Sequence, residues 1–595
     1  MILTSTDLLV MLLYFAAVLA IGYALKSRIK TSRDFLEAGR SLPSWVCGLA
    51  FLGAGLGAPV VIGMGAMGAR YGLQAAHFLG IGAIPAMIFV GLVLMPYYYS
   101  SKARSVPEFL GLRFDQKTRT LNACMFLAMT VFTAGVSLCL MARVMQALHV
   151  FDGLFRAFGL PPNGIFTFCM VLCAVVVLGY VELGGLGGAV WNHALQFVLL
   201  VAGLLPVAVL GLRNIGGWSG LGASLPNAFM HQWSGVAHSA GTPMGIGLAA
   251  VGLGILLGAS YWCTDFRVIQ IALAAKSVES ARRVPLIAAI PMVFLPFLLV
   301  VPGMVAVGLP TPHTNTVSRV ENGVIYHNTT VVRPEVEAGR GLVPAKIDRA
   351  TGKPMLTAAG QPVLNYEMAT PNLLPRFLPS GLLALGLAAL LASLMSGMAA
   401  NVTAFTTVFT YDLYQARVRK GAIDRHYLAV GRWAALGAML LAVAVAYAAA
   451  SSSILTALIL AVSLVNVPLL ATLLLGVFWK RTTGHGAFAG LIAGSCAGLL
   501  HHGLTLPAHA HPGMHGGWIA VLHSYPGAMP QSFWTAIFAF GASLIVTVAV
   551  SYCSQARTEL LGMVLARKKL VWWKRPEALA IAILLAAVAV SLFFA

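Results

Sequence analysis

Long apolar segments alternate with short polar ones along almost the whole chain. About fourteen segments reach the roughly 17–25 apolar residues that a helix needs to cross a bilayer. They lie near residues 5–25, 44–68, 74–98, 119–146, 164–182, 187–212, 243–263, 285–308, 379–411, 427–449, 453–477, 486–504, 532–553 and 577–594. The segment at 379–411 exceeds what a bilayer requires, so we expect it to tilt or extend beyond the membrane. The pattern predicts an all-α polytopic membrane protein.

Basic residues cluster in alternate connections between these segments. Six clusters hold 26 of the 38 Lys and Arg residues, near 26–40, 102–119, 267–283, 417–425, 480–481 and 557–575. Positive residues favour the cytoplasmic side of a membrane. We therefore expect both termini to face outward, in what we interpret as the inner (plasma) membrane of a bacterium.

Composition supports membrane insertion and excludes several classes of protein. The chain is 59% hydrophobic and 9% charged, with a net charge of +20, whereas soluble proteins average roughly 45–50% apolar and about 25% charged residues. The basic excess lies between apolar runs, so we expect a lipid bilayer and no nucleic acid as partner. The eight Cys residues show no metal-ligand spacing, and no P-loop motif occurs. With no intramembrane catalytic cluster visible, we expect neither an enzyme nor an organic cofactor.

Two apolar segments contain runs of helix-weakening residues. The first is 52–59, with three Gly and Pro59; the second contains Gly245, Gly247, Gly252, Gly254 and Gly258. Unwound backbone inside a bilayer is tolerated where it lines a cavity, and transporters use it to bind ions and substrates. The alternative is close helix packing through small residues.

The two breaks begin two five-helix halves. This arrangement predicts an inverted repeat of residues 44–212 and 243–477. The extra N-terminal helix and an inner basic loop would occupy 1–43, and three C-terminal helices would occupy 478–595.

Two long connections fall on the predicted outer side. Residues 309–378 are polar and rich in Pro, Gly and Asn, so we expect an external loop or cap whose role the sequence leaves open. Residues 505–531 contain four histidines. Metal capture there is one interpretation, and a solvated polar loop is the plainer one; the histidines are His509, His511, His515 and His523.

An ordered set of short motifs resembles the sodium:solute symporter family, which includes the sodium/glucose and sodium/proline cotransporters. The motifs span about residues 30–490. They are SRDFLEAGR at 32–40, PEFL at 107–110 with Arg113-Phe114, GGLGGAVW at 184–191, YWCTD at 261–265 with AAKS at 274–277, FTYDLY at 409–414 and GVFWKRTT at 476–483. The resemblance implies the LeuT-type fold: a 5+5 inverted-repeat core with one helix before it and three after it.

The resemblance also implies a sodium site between the broken first core helix and the eighth core helix. Its ligands would be the carbonyl oxygens of Gly53, Leu56 and Ser393 and the hydroxyl of Ser396, together with whatever stands at Gly397. No metal other than Na⁺ is expected. Family members usually carry Ser or Thr at the position of Gly397, so one ligand is missing, and a water or the Ser393 hydroxyl could replace it.

His193 is a second departure, because the family often has Asp at this point of the fifth core helix. Since histidine titrates near neutral pH, His193 could carry a proton on an ion path. Three modes of transport therefore stay open: coupling to Na⁺, coupling to H⁺, and uncoupled facilitation.

The substrate pocket departs further from the family pattern. Tyr261 matches the aromatic inner gate of a bacterial galactose member, with Trp262 beside it. The polar sugar ligands of that member correspond here to Leu79, Gly258, Met292 and Ile459. Desolvated hydroxyl groups need replacement partners, and the candidates are His77, Ser137, Ser260, Ser463 and Asn466. Galactose binding in that manner is disfavoured, while another sugar or a carboxylate stays open.

These observations predict a secondary active symporter that moves a small organic solute by alternating access. A membrane sensor of the same fold is a remote alternative, because such sensors attach a kinase or regulatory domain and we expect none here. Neither the substrate, the coupling stoichiometry nor the oligomeric state can be read from the sequence.

Overall fold

The computed structural model describes residues 4–148, 150–159, 164–233, 256–310, 316–321, 324–329, 339–347, 353–356, 360–448, 454–508, 510, 512–513, 515–555 and 575–594. Helices dominate these ranges, as predicted. The first half contains α1 (Ser5–Lys26), α2 (Ser32–Glu37), α3 (Ser44–Gly55), α4 (Ala58–Tyr71), α5 (His77–Phe89), α6 (Met95–Ser100), α7 (Val106–Arg113), α8 (Gln116–Ala147), α9 (Asp152–Ala157), α10 (Ile165–Asn214) and α11 (Gly217–Ser224).

The second half continues the helical architecture. It contains α12 (Ala259–Thr264), α13 (Phe266–Leu273), α14 (Val278–Met292), α15 (Leu295–Gly308), α16 (Ala369–Phe377), α17 (Leu382–Val408), α18 (Asp424–Ala448), α19 (Ile454–Phe478), α20 (Gly484–Leu504), α21 (Ala528–Tyr552) and α22 (Pro576–Phe593). Short 3₁₀ segments occupy Ala38–Arg40, Gly72–Ala76, Asn227–Phe229 and Tyr366–Met368, and π-helical turns occupy Val90–Leu94 and Phe409–Val418.

Within the described residues, eleven helices are long and apolar enough to cross a membrane. Ile165–Asn214 covers two predicted spans, whereas Pro59–Ser100 covers the predicted span 74–98 and only the end of the span 44–68. The predicted span at 243–263 lies largely outside the described residues. The long segment predicted at 379–411 is observed as α17, which continues into the π-helical turn Phe409–Val418.

A sharp bend divides α10. Gly185 adopts φ 55° and ψ −153°, in a region that favours glycine. A β-carbon there would lie 2.7 Å from the Phe35 carbonyl oxygen, so glycine also permits the close approach of α2. The bend lets one continuous helical segment supply two predicted spans.

The described residues of the predicted outer connections include two short strand pairs. Strands β1 (Thr316–Glu321) and β2 (Val324–Thr329) pair antiparallel, and β3 (Thr505–Pro507) and β4 (His523–Tyr525) pair parallel. The Leu342 amide donates to the Ala306 carbonyl at 2.8 Å, which places the first connection against the end of α15. No group of three or more His, Cys, Asp or Glu residues suited to a metal occurs in the described part of the chain. His509 and His511 lie outside it.

Three arginines of the predicted basic clusters are buried inside the structure. Arg113, Arg119 and Arg267 are 5%, 8% and 7% exposed. Arg113 donates to the Gly476 carbonyl at 2.6 Å, and Arg119 donates to Asp412 at 2.7 Å. A guanidinium group can be buried when carbonyl and carboxylate oxygens accept hydrogen bonds from its N–H groups. These arginines therefore stabilise the packing of neighbouring helices.

A second ion pair, between Arg104 and Glu108, stabilises the connection before α8. Glu108 accepts from the Arg104 guanidinium at 2.7 Å, and Ser105 accepts the Glu108 amide as the N-cap of α7. Burial alone would raise the pKa of Glu108, but the hydrogen bonds and charge of Arg104 lower this pKa below its usual value. Glu108 therefore stays ionised and holds this connection in place.

Candidate functional site

The first predicted break is confirmed. Helix α3 ends at Gly55, α4 begins at Ala58, and Leu56 between them has φ −96° and ψ 50°. Pro59 lies in the first turn of α4, where its missing N–H costs no helical hydrogen bond. The break leaves backbone carbonyl groups without helical partners in the middle of a buried segment.

The eighth core helix, α17, lies directly against this break. The Ser393 hydroxyl donates to the Leu56 carbonyl oxygen at 2.8 Å. A β-carbon on Gly397 would lie 3.1 Å from the Gly57 Cα atom. Ser393 and Ser396 are 3% and 1% exposed, so the junction is shielded from solvent. The structure thus brings Leu56, Ser393 and Gly397, three of the positions that the family resemblance implies, to one junction.

His193 joins the same junction from α10. Its Nδ1 atom lies 2.8 Å from the Ser396 hydroxyl oxygen. A β-carbon on Gly53 would lie only 2.5 Å from the His193 carbonyl oxygen. Glycine at 53 therefore allows the broken helix to touch α10, and His193 connects the break with a predicted ligand. Five buried residues from three helices meet here: Gly53, Leu56, His193, Ser393 and Ser396.

The aromatic candidates lie on the other side of the break. The Tyr261 hydroxyl donates to the Gly55 carbonyl oxygen at 3.1 Å. Trp262 stacks on Phe51, with ring centroids 5.6 Å apart and an interplanar angle of 24°. Tyr261 is partly exposed and Trp262 is buried. Of the two rings, Tyr261 is the more exposed.

The other substrate candidates form hydrogen bonds with groups of the protein itself. The hydroxyls of Ser137, Ser260 and Ser463 each donate to a carbonyl of their own helical segment. His77 contacts the Gln232 carbonyl through Nε2 at 2.8 Å and packs against the Trp233 ring. The Asn466 amide donates to the Asp265 carboxylate at 3.3 Å. Each of these five candidates therefore already has a hydrogen-bond partner within the protein.

A backbone contact explains one departure from the family pattern. A β-carbon on Gly258 would lie 1.9 Å from the Gly82 carbonyl oxygen. No larger side chain fits that approach without a backbone shift. The remaining glycines of the second predicted break, Gly245 to Gly254, lie outside the described residues.

A second helix interruption in the described residues falls at Asp265, and sequence reasoning missed it. Asp265 separates α12 from α13, with φ −71° and ψ 109°, and it has no exposed surface. It forms a buried ion pair with Arg267, two residues further along the chain. The sequence did not indicate that Asp265 is buried, because this residue lies in a short motif just before a basic cluster. The pattern that could have indicated it is an acidic and a basic residue two positions apart within an apolar stretch.

Broken helices that meet at a buried polar junction define a LeuT-type secondary transporter. A solved Na⁺-coupled sialic acid symporter shares this fold, with a TM-score of 0.69 and 17% identity over 93% of this chain and 99% of that one. The sodium:solute symporter family model matches residues 35–494. The chain belongs to the sodium:solute symporter family, and the predicted class of function, ion-coupled symport of a small solute, is confirmed.

Two curated relatives illustrate the similarity. The sodium/glucose cotransporter of Vibrio parahaemolyticus is 28% identical over 502 residues, covering 82% of this chain and 84% of the relative. The mouse sodium/myo-inositol cotransporter 2 is 26% identical over 604 residues, covering 96% of this chain and 80% of the relative. The similarity thus extends over most of both chains.

Proposed function

We propose that this protein couples Na⁺ entry to uptake of a small polyhydroxylated solute, a sugar or a cyclitol. The observation that carries the ion assignment is the contact between the Ser393 hydroxyl and the Leu56 carbonyl across the helix break. Neutral oxygens at a broken helix suit an alkali cation. The solute assignment is supported by the names of the relatives and by Tyr261, a partly exposed aromatic ring at the same break.

In this proposal Gly53, Leu56, Ser393 and Ser396 surround the ion. Gly397 contributes no side-chain oxygen but permits Gly57 to pack closely. The proposed ion site and the proposed solute site lie on two faces of one break. Binding at one site would therefore stabilise the conformation that the other site needs. Only such coupling in one state lets the ion gradient drive uphill uptake.

A second candidate function is proton coupling, favoured by the contact between His193 and Ser396. Uptake in proteoliposomes separates the two, because a Na⁺ gradient and a pH gradient can be imposed independently. We propose Na⁺ as the driving ion. Uptake of labelled glucose, galactose or myo-inositol that follows only the pH gradient would replace it with H⁺.

We also propose an orientation with both termini outside the plasma membrane of a bacterium and with 44–212 and 243–477 as the two repeats. The buried contacts of Arg113, Arg119 and Arg267 remove three charges from the orientation argument but leave most of the basic loop residues. Labelling of single cysteines introduced near each terminus in intact cells tests the orientation. If both cysteines are labelled only after the cells are opened, both termini face the cytoplasm and the proposed orientation is reversed.

Restoring an oxygen at position 397 tests the ion assignment. In Gly397→Ser the β-carbon meets Gly57 at 3.1 Å, so a small displacement is required, but the hydroxyl supplies an additional ligand. Gly397→Ala imposes the same contact without the oxygen. We expect Na⁺ to bind Gly397→Ser roughly tenfold more tightly than Gly397→Ala, a difference of about 1.4 kcal/mol. Equal Na⁺ half-saturation of uptake in the two variants would remove residue 397 from the site.

Tyr261→Phe tests the solute side of the break. The variant keeps the ring but loses the hydroxyl that donates to Gly55. Because a hydrogen bond contributes on the order of 1 kcal/mol, we expect the KM for solute to rise by a factor of about five. Tyr98→Phe is the matched control, since it removes a similar bond to the Cys263 carbonyl at a fully buried site. Equal KM changes in both variants would show that Tyr261 has no special role.

A further inference from the structure

A network of buried polar side chains surrounds the break between α12 and α13. Its centre is the ion pair of Asp265 and Arg267. The Arg267 Nε atom lies 2.9 Å and 3.0 Å from the two carboxylate oxygens of Asp265. Burying two charges is costly unless further hydrogen bonds satisfy them. The partners that Arg267 and Asp265 find outside their own helix therefore indicate what the pair does.

Arg267 reaches from α13 to two other helices. Its Nη1 atom lies 3.3 Å from the Thr133 hydroxyl of α8 and 3.3 Å from the Asn401 side-chain oxygen of α17. Thr133 itself donates to Asn401 at 2.8 Å. The Asn401 amide then donates to the Gly397 carbonyl at 2.8 Å. The contacts thus run without interruption from α13 to the turn of α17 that follows Ser393 and Ser396.

Arg267 also contacts Tyr261, the residue at the proposed solute site. Its guanidinium lies 5.5 Å from the centre of the Tyr261 ring, within the range of a cation–π contact. Tyr261 is the residue whose hydroxyl reaches the break in α3. Asn466 of α19 donates to Asp265 at 3.3 Å. We call Thr133, Asp265, Arg267, Asn401 and Asn466 the Arg267 network.

Helix α13 is completely covered in this structure. All eight of its residues are buried, and Gln270 adds a hydrogen bond to Thr403 of α17 at 3.0 Å. The basic cluster that follows α13 places it toward the predicted cytoplasmic side. If inward release of a solute past Tyr261 moves α13 away from α17, the contacts between Arg267 and Asn401 break.

We infer that Arg267 is a positioning residue that couples ion occupancy to closure of α13 over the inward path. The inference rests on the proposed Na⁺ site. An ion that fixes the α3 break against α17 also fixes the turn that carries Asn401, and this residue holds α13 through Arg267. Thermodynamic linkage makes the effect reciprocal, so a broken network weakens apparent ion affinity as well as closure. Lysine cannot replace Arg267, because one ammonium group lacks the planar fork that serves Asp265 and Asn401 together.

The test combines two measurements on the full-length protein in detergent or nanodiscs. Na⁺ is titrated against choline at constant ionic strength while the unfolding temperature is followed. Hydrogen–deuterium exchange of α13 is then compared with and without Na⁺. The variants are Asn401→Ala, which leaves the ion pair intact, and Arg267→Lys, which keeps the charge beside Asp265. Asn122→Ala is the matched control, because Asn122 is equally buried on α8 and lies outside the Arg267 network.

We expect Na⁺ to slow exchange of α13 in the unchanged protein and in Asn122→Ala. In Asn401→Ala and Arg267→Lys, this protection should disappear, and the Na⁺ half-saturation should rise by at least about fivefold, the lower end of common coupling effects. A response to Na⁺ that is the same in all four proteins would overturn the role of Arg267 alone. No response to Na⁺ in the unchanged protein would overturn the proposed ion site, and with it the coupling.

Discussion

Ser396→Ala should weaken Na⁺ binding by a factor of about 10–100, the cost of roughly 1.4–2.8 kcal/mol for a lost ligand and an unpaired buried group. The substitution removes a predicted ligand oxygen and also the partner of His193, which has no exposed surface. Both losses fall at the same junction. The Na⁺ dependence of uptake and of the unfolding temperature measures the effect.

Ser543→Ala is the matched control for this prediction. Ser543 is as buried as Ser396, but its hydroxyl donates to the Pro468 carbonyl of α19. We expect its Na⁺ half-saturation to stay within about twofold of the unchanged protein, because substitutions away from special features have small effects. If both serine variants keep the original Na⁺ dependence, Ser396 is not an ion ligand.

Gly53→Ala should abolish Na⁺-dependent uptake. The added β-carbon would lie 2.5 Å from the His193 carbonyl oxygen, and this neighbour is backbone rather than a movable side chain. The break in α3 must then move away from α10, which takes the Gly53 and Leu56 carbonyls away from Ser393. Because the ion site requires these groups together, we expect no Na⁺-induced rise in unfolding temperature.

Gly437→Ala controls for the substitution itself. Nothing lies within 4 Å of a β-carbon at this position inside α18. Alanine has a higher helix propensity than glycine by about 0.8–1.0 kcal/mol, so this variant should be as stable as the unchanged protein or slightly more so. Normal Na⁺-dependent uptake in Gly53→Ala would show that the contact with His193 is not needed for coupling.

Local sequence patterns predicted the helical fold and the first break well. The run from Leu52 to Pro59 contains several residues that each weaken a helix, so the break is dictated locally. The bend in α10 was predicted only as a gap between two apolar segments, since the need for positive φ at Gly185 arises from packing against Phe35. The family resemblance supplied the pairing of α3 with α17, which local patterns do not contain.

Side-chain partners were less predictable. His193 and Ser396 are 203 residues apart, and their contact depends on the rotation of two packed helices. Asn466, a predicted substrate candidate, donates to Asp265, a partner that no local pattern indicates. Arg267 was interpreted as a loop charge because it precedes Lys276, Arg282 and Arg283 in the sequence. A charged residue can be buried only where packing supplies hydrogen-bond partners. For Arg267 these partners include Thr133 and Asn401, which lie on distant segments of the chain.

The most direct test of Na⁺ coupling is uptake by purified protein in proteoliposomes under an imposed inward Na⁺ gradient. Labelled glucose, galactose and myo-inositol serve as probes, with choline replacing Na⁺ in one arm and an inward H⁺ gradient in another. Na⁺ coupling at the Ser393–Leu56 junction predicts transient accumulation of at least one probe above its equilibrium level, lost in Ser396→Ala and kept in Ser543→Ala. Accumulation driven by the H⁺ gradient alone, or accumulation with Na⁺ that Ser396→Ala leaves unchanged, would contradict it.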